Sequence, residues 1–245
     1  MEWTDEGVVL AVRPHGEQDA IASALTFEHG RHLGLVIAGR SRRRAPVLQP
    51  GNRLALVWRA RLESQLGHFA IEPQRLYAAT LVDDPLRLAA LAATTSLLDA
   101  ALAEREPHPT LYAALVSLLG RLAANAPDWP ETLVRFELLL LAELGFGLEL
   151  ARCAVTGTSE DLTWVSPRTG RAVSRGAGEP WAARLLPLPP FLAGRGPADR
   201  EQIAQGLRLA GHFIARHILA PAERPMPIAR ERLLALLTPG AESDR

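Results

Sequence analysis

The chain has 245 residues, 48% of them hydrophobic and 22% charged, and its 27 acidic and 27 basic residues balance. This composition is ordinary for a globular protein of one or two domains and argues against wholesale disorder, and no apolar run approaches the ~18 residues of a membrane-spanning helix. Cys153, the one cysteine, excludes an intramolecular disulfide, and Glu2, Asp5 and Glu6 replace the positive charge of a secretion signal, so we expect a cytoplasmic protein.

The first 75 residues have the pattern of five short strands separated by turn signals. Apolar or alternating runs cover residues 7–12, 19–26, 33–38, 53–62 and 68–72. A polar, basic connection, residues 39–51, separates the third run from the fourth. In the fourth run, alternation places Arg53, Arg59 and Arg61 on one face of the strand. Five strands in so short a segment indicate a small Greek-key barrel of the oligonucleotide-binding (OB) type.

After residue 83 the apolar residues recur at helical spacing. Asp84 fits an N-cap, with Pro85 at the first helical position. Further helices are predicted at residues 110–124, 130–144, 199–220 and 227–237. An irregular segment rich in glycine, proline and arginine lies between the third helix and the last two. We therefore predict an α+β multidomain protein, with an OB-type barrel over residues 1–80 and a mainly α-helical domain over residues 81–245, interrupted at about 146–196.

The balanced charge is unevenly distributed. Residues 1–80 hold ten arginines against eight acidic residues, residues 81–145 hold four against nine, and residues 146–245 hold thirteen against ten. No acidic residue lies between Glu28 and Glu63, a stretch that carries eight arginines. Local positive charge can attract a polyanion even when the whole molecule is neutral.

The residues give no positive indication of catalysis. The chain contains no lysine, which excludes the Walker phosphate loop, Schiff-base chemistry and a kinase-type site. A structural metal site needs four nitrogen or sulfur ligands, and Cys153 has no second cysteine and no histidine in the surrounding irregular segment. His212 and His217 are five residues apart, which does not place both on one ligand-binding edge of a helix. We therefore expect a protein that is not an enzyme.

Nucleic-acid binding has better support. Arg40, Arg42, Arg43 and Arg44 lie on the basic connection, and Arg53, Arg59 and Arg61 lie on the strand that follows it. Together they would form a basic strip along one side of the barrel. The planar guanidinium group donates two parallel hydrogen bonds to phosphate and stays charged at all relevant pH values. Aromatic residues are few, so binding should depend on phosphate contacts and be sensitive to salt.

An ordered set of short motifs runs along both predicted domains. In the first domain these motifs are Gly7-Val8-Val9-Leu10, Arg13, Gly16-Glu17-Gln18-Asp19, His29-Gly30-Arg31, Gly39-Arg40-Ser41-Arg42 and Leu48-Gln49-Pro50-Gly51-Asn52. In the second they are Arg135-Phe136-Glu137, Leu144-Gly145-Phe146, Cys153-Ala154-Val155-Thr156-Gly157, Val165-Ser166-Pro167-Arg168-Thr169-Gly170 and Leu186-Pro187-Leu188-Pro189. This set resembles the bacterial RecO family of recombination mediators, and the resemblance covers nearly the whole chain in the expected order.

The resemblance implies a non-enzymatic DNA repair factor that acts at the nucleoid. Such proteins bind single- and double-stranded DNA through the barrel and anneal complementary strands. With RecR, and often RecF, they help load RecA onto strands coated by single-strand-binding protein (SSB). The resemblance assigns DNA binding to Arg40, Arg42, Arg43 and Arg44, and extends it to Arg13, Arg53, Arg59 and Arg61.

The resemblance also implies a docking site for the acidic C-terminal tail of SSB on the helical domain. Such a site should join an apolar groove to arginines, and the candidates are Arg135, Arg152 and Arg175. The chain departs from many relatives at their four-cysteine zinc site, where it has Cys153, Thr156, Ser174 and Ala177. We therefore predict that it binds no zinc and needs no cofactor.

Two alternatives belong to other functional classes. The chain could be an adaptor whose helical domain binds acidic peptide tails and contacts DNA only incidentally, since arginines are also frequent after residue 145. A metal-dependent nuclease would cleave DNA with magnesium or manganese, although no spacing of acidic residues favours it.

Overall fold

The computed structural model describes residues 1–62 and 64–238, which fall into two compact units. Of the described residues, the first contains 1–126 and 227–231, and the second contains 127–226 and 232–238. The predicted domain boundary near residue 80 stays a prediction, and the two helices that follow it belong to the same compact unit as the strands.

The first unit begins with a five-stranded barrel. Its strands are β1 (Glu2–His15), β2 (Asp19–Thr26), β3 (Gly30–Val36), β4 (Arg53–Arg59) and β5 (His68–Arg75). They close in the order β1-β2-β3-β5-β4, with β3 and β5 parallel and the other neighbours antiparallel. The predicted five-stranded OB-type barrel is thus confirmed.

Strand β1 is long because it pairs with two neighbours. Residues 2–8 pair with β4, and residues 7–15 pair with β2. The register with β2 shifts between Val9 and Ala11, so Leu10 is an extra, buried residue in the ladder. Such a bulge bends a strand and increases its twist, which lets one strand serve both sides of a closed barrel.

The barrel interior is filled by alternating residues of its strands. In β4, Leu54, Leu56 and Trp58 are each 1% exposed, whereas the two residues between them are half-buried. Val9 and Val36 belong to the same core. Burying one such side chain stabilises the fold by about 1.5–3 kcal/mol, so the alternation specifies which face of each strand turns inward.

Two helices, α1 (Pro85–Ala101) and α2 (Pro109–Ala123), complete the first unit. The predicted N-cap is confirmed, because Asp84 Oδ1 accepts hydrogen bonds from the backbone N–H groups of Leu86 (3.1 Å) and Arg87 (3.0 Å). Proline at the first helical position is compatible with this cap, since that backbone nitrogen needs no partner.

A buried arginine joins α1 to the barrel. Arg31 of β3 is 7% exposed and donates to the Leu102 carbonyl (3.0 Å), to Asp99 (3.4 Å) and to Glu104 (3.4 Å). Asp99 of α1 also accepts a 2.6 Å hydrogen bond from Ser23 of β2. A buried guanidinium needs such partners because its charge has left water. Arg31, one of the eight arginines of the acid-free stretch, therefore has a structural role.

The second unit combines helices with a small sheet. It contains α3 (Trp129–Glu143), β6 (Leu162–Val165), β7 (Ala172–Ser174), α4 (Arg175–Gly178), β8 (Leu186–Pro187) and α5 (Arg200–Ile214). The sheet order is β7-β6-β8, so the irregular segment expected at about 146–196 contains three short strands. The helix predicted to continue to residue 220 instead changes to a π-helical turn at Ala215–Leu219. The last helix, α6 (Ile228–Leu237), has residues in both units.

None of the helices in the described part of the chain is both long enough and apolar enough to span a membrane.

We predict that Asp99→Ala lowers the free energy of unfolding of the first unit by about 2–3 kcal/mol. The substitution removes one carboxylate partner of the buried Arg31 and the acceptor of the Ser23 hydroxyl. Chemical denaturation followed by circular dichroism measures the change. Asp83→Ala, at an exposed position before α1, is the control and should change stability by less than about 0.5 kcal/mol. Equal stability of the two variants would contradict the structural role of Asp99.

A buried histidine inside the barrel should make the free energy of unfolding depend on pH. His32 is 3% exposed, both its ring nitrogens lack a hydrogen-bond partner among the described residues, and burial, with nearby Arg105 and His29, lowers its pKa to about 4. Between pH 6.5 and 4 the unfolded chain therefore binds a proton that the folded chain does not. The free energy of unfolding should fall by roughly 3 kcal/mol as the pH drops through this window, with no further loss from this group below pH 4.

Denaturant titrations from pH 7 to pH 4 measure this dependence. His32→Phe should lose this component, whereas His68→Gln, which removes an exposed histidine, should keep it. The same pH slope in His32→Phe and in the unchanged protein would show that His32 does not carry the effect.

Candidate nucleic-acid interface

The basic connection between β3 and β4, residues 39–51, is a folded loop whose two ends are fixed to the barrel; we call it the basic loop. The Arg40 backbone N–H donates to the Gln18 carbonyl in the β1–β2 turn (2.9 Å), and the Gly51 N–H donates to the Val9 carbonyl (2.8 Å). Inside the loop, Leu48 is buried and its N–H bonds to the Arg44 carbonyl (3.0 Å). The loop therefore presents its side chains from an ordered main chain.

The four arginines of the basic loop differ in what they contact. Arg40 Nη1 donates to the carbonyls of Gly16 (3.4 Å) and Glu17 (3.0 Å), and Arg44 Nη1 donates to the Ile37 carbonyl. These two side chains help to fold the loop. Arg42 and Arg43 are exposed and have no side-chain hydrogen bond or ion pair within residues 1–62 and 64–238.

The positive charge of the basic loop is not neutralised within it. No acidic residue lies in residues 39–51, and carbonyl acceptors leave the charges of Arg40 and Arg44 in place. The loop thus carries four positive charges, two of them on unpaired guanidinium groups, and this arrangement is suited to phosphate.

The other predicted arginines of the first unit do not continue this surface as one strip. Arg53 is half-buried and paired with Glu6, whose hydrogen bond raises the Arg53 pKa against the opposing effect of burial. Arg59 does lie on the same face of β4, but six residues further along an extended strand it is roughly 20 Å from Arg53. It is exposed and forms a 2.9 Å ion pair with Glu2.

The placement of Arg61 on the β4 face was wrong. Strand β4 ends at Arg59 because β1, its partner, begins at Glu2, and the Ala60 N–H bonds to the Met1 carbonyl (3.0 Å). Arg61 lies in the exposed segment that follows. Arg13 of β1 is exposed and makes a 3.5 Å ion pair with Asp99.

In the second unit, the three arginines considered for a peptide tail have different surroundings. Arg135 of α3 donates to the Phe191 carbonyl (2.9 Å) and lies over the Phe191 ring. Arg175 forms a 3.4 Å ion pair with Asp161. Arg152 is exposed and has no hydrogen bond or ion pair to the rest of the described chain.

The sequence did not reveal an apolar cavity of about 260 Å³ in the second unit. We call it the α5 pocket, and it is lined by Leu186, Pro187, Glu201, Gln205, Arg208 and Leu209. Arg208 forms a 3.3 Å ion pair with Glu201 and donates to the Thr238 hydroxyl (2.9 Å). The spacing of Glu201, Gln205 and Arg208 on one helix face was visible in the sequence. The two-residue strand β8 that forms the other wall was not.

The residues at the four positions where the resemblance implies a zinc site do not fit that metal. Cys153 is the one thiol, and its Sγ accepts hydrogen bonds from the Ser174 hydroxyl (3.3 Å), the Ser174 N–H (3.3 Å) and the Thr156 N–H (3.5 Å). Burial raises the pKa of the thiol, but these hydrogen bonds outweigh burial and lower it to about 6. Among the described residues no group of three or more histidine, cysteine or acidic side chains could hold a metal ion. That the protein binds no zinc stays a prediction.

Two family models together match most of the chain. The model described as Recombination protein O N terminal matches residues 1–74, which include the barrel, and the model described as Recombination protein O C terminal matches residues 82–224.

Curated proteins named DNA repair protein RecO are similar over nearly their full length. The protein from Rhodospirillum centenum is 53% identical, with 96% of this chain and 94% of the relative covered. The protein from Cereibacter sphaeroides strain KD131 is 54% identical, covering 97% and 98%. The protein from Methylobacterium nodulans is 50% identical, covering 98% and 100%. The chain therefore belongs to the RecO family of DNA repair proteins.

Proposed function

We propose that this chain is a non-enzymatic recombination mediator. It binds single- and double-stranded DNA through the basic loop and anneals complementary strands. With RecR and RecF it helps load RecA onto single strands coated by SSB, at the nucleoid. Pairing two strands makes no covalent bond, so this function requires no catalytic residue and no cofactor.

The observation that carries the proposal is the pair of exposed, unpaired guanidinium groups of Arg42 and Arg43 on the anchored basic loop. Because the main chain of the loop is ordered, a phosphate backbone can dock without the loop first having to fold. Arg40 and Arg44 flank the pair and add charge that no carboxylate of the loop neutralises. Arg59 and Arg61 lie further away, and we assign them at most a secondary contribution. Arg53 and Arg13 are paired with acidic residues and lie outside the proposed contact.

Docking of the SSB tail is the second part of the proposal. An acidic tail with an apolar end requires a hydrophobic cavity beside a cation, and the α5 pocket offers Leu186 and Leu209 beside Arg208. Of the three arginines first considered, Arg175 is paired with a carboxylate, whereas Arg135 bonds to a carbonyl and Arg152 is unpaired, so Arg135 and Arg152 could add uncompensated charge. This pocket is also the observation that keeps the adaptor alternative open, since it could act without DNA contact.

The proposed DNA site predicts how DNA binding depends on salt. If about four arginines contact phosphates of a single strand, log K plotted against log salt concentration should have a slope of roughly −3. Arg42→Glu/Arg43→Glu should reduce the slope to about −1.5 and weaken binding at all salt concentrations. Fluorescence anisotropy of a labelled oligonucleotide across a salt series measures both.

The charge-matched control is Arg184→Glu/Arg232→Glu, which makes the same change at exposed positions of the second unit. An unchanged slope in Arg42→Glu/Arg43→Glu would rule out the basic loop as the DNA site. Incubation of DNA with magnesium or manganese belongs to the same experiment, because cleavage would favour the nuclease alternative. No DNA binding at low salt would favour the adaptor.

The proposed docking of an acidic tail predicts how substitutions at the α5 pocket change peptide affinity. Arg208→Glu should weaken binding of an acidic peptide with a hydrophobic C-terminus by about tenfold or more, because a cation beside the pocket is replaced by an anion. Glu201→Gln should instead strengthen binding, since it removes a negative charge that competes for Arg208. Calorimetric titration of the peptide measures both. If the two substitutions change the affinity in the same direction, the peptide does not bind at this pocket.

A further inference from the structure

The turn between β6 and β7, residues 166–170, is held against the end of α5. The turn is closed by hydrogen bonds from the Ser166 N–H to the Arg171 carbonyl (3.0 Å) and from the Gly170 N–H to the Ser166 carbonyl (2.9 Å). Arg216 Nη1 donates to the Pro167 carbonyl at 3.1 Å, and His212 Nε2 lies 3.2 Å from the same oxygen. One backbone carbonyl therefore joins the turn to His212 of α5 and to Arg216 of the π-helical turn that follows α5.

Positive charge is in excess around this turn. Arg168, at its tip, is exposed and has no hydrogen bond or ion pair within the described residues. Arg216 is exposed and bonds to a carbonyl, which leaves its charge uncompensated. Arg171 is paired with Glu149 at 2.8 Å, so the three arginines and this one carboxylate leave a net charge of +2. An anionic ligand would find two arginines with no acidic partner.

An exposed aromatic ring belongs to the same helix end, because it stacks on His217, which directly follows Arg216 in the chain. Phe213 of α5 is buried, the His217 ring lies nearly parallel to it (7° between planes), and the Phe146 ring is stacked on His217 (15°, centroids 5.1 Å apart). Phe146 is 40% exposed. The packing of the inner rings fixes the outer ring in place, and a fixed, partly exposed ring adds little entropy cost when a base stacks on it.

We propose that Arg168, Arg216 and Phe146 form a second binding surface for single-stranded nucleic acid, which we call the turn surface. The arginines contact phosphates and Phe146 stacks with a base. This inference rests on the proposed annealing function, because annealing requires two strands to be held at once and the basic loop has free guanidinium groups for only one. The combination of unpaired arginines with an exposed aromatic ring suits a nucleic acid better than an acidic peptide, which has no base to stack.

The test uses the full-length protein and two short oligonucleotides that are not complementary, one with a donor and one with an acceptor fluorophore. Energy transfer between them reports two strands on one protein particle, and a separate titration of one oligonucleotide measures the basic loop. Arg168→Glu/Arg216→Glu should abolish energy transfer and slow annealing of complementary strands by about tenfold or more, while affinity for a single oligonucleotide changes by less than about threefold. Phe146→Ala should weaken the apparent affinity for the second strand, measured from energy transfer, by about tenfold, as expected for the loss of one stacked base.

Two variants keep the result interpretable. Arg168→Glu alone breaks no hydrogen bond of the described structure, so its effect on energy transfer cannot come from unfolding of the turn. Arg184→Glu/Arg232→Glu carries the same change of charge elsewhere and should behave as the unchanged protein. Energy transfer and annealing that match this control in both Arg168→Glu and Arg168→Glu/Arg216→Glu would overturn the turn surface.

The outcomes for the two surfaces are distinguishable. Loss of single-oligonucleotide binding in Arg42→Glu/Arg43→Glu, with no effect of the turn variants, would support the basic loop and overturn the turn surface. If the turn variants lose all DNA binding while Arg42→Glu/Arg43→Glu keeps its binding, the proposed role of the basic loop is overturned and the turn surface is the DNA site. If the turn variants bind an acidic peptide more weakly but bind DNA and support energy transfer as the unchanged protein does, the turn surface is a peptide site and the proposal is overturned.

Discussion

Closure of the barrel by β1 is the constraint on which the first unit depends. One strand pairs with β4 along its first half and with β2 along its second, and the bulge at Leu10 provides the bend that this requires. The basic loop is attached at both of its ends to this same strand or to the turn that follows it, through Val9 and Gln18. The positions of Arg42 and Arg43 are therefore set by the strand pairing of the barrel, and a change in its register would move the charges.

The two units use arginine in different ways. In the barrel unit, Arg31 and Arg53 are withdrawn from solvent and paired with carboxylates, while Arg42 and Arg43 are left free. In the second unit, Arg171, Arg175 and Arg208 are paired with carboxylates at the surface, while Arg152 and Arg168 have no partner among the residues described. A count of arginines cannot distinguish these roles, because a guanidinium group serves equally well as a buried hydrogen-bond donor and as a phosphate ligand.

Much of the fold could be predicted from the sequence, whereas the site could be predicted only in part. Periodicity identified the five strands, and Asp84 with Pro85 identified the start of α1, because these signals are local. The strand containing Arg61 was predicted too long because its end depends on where β1 begins, which is a long-range pairing. The basic loop was found from its charge. Three other features join residues that are distant in sequence, and no local pattern encodes them. They are the pairing of Arg53 with Glu6, the wall that β8 adds to the α5 pocket, and the contact of Arg216 with Pro167.

The bond between Arg31 and Asp99 has a consequence for how this protein can be dissected. A fragment that stopped after β5 would retain every strand of the barrel and yet leave a guanidinium in the β3 ladder without the carboxylates and the carbonyl supplied by residues 99–104. The same fragment would also lose the close contact between Gly30 and the backbone of Glu106, where a Cβ atom on residue 30 would lie 2.1 Å from the carbonyl oxygen. The barrel and α1 thus form a single cooperative unit, whose slowly exchanging amide protons should include those of the helix, and a fragment that keeps these contacts must extend at least to Glu106.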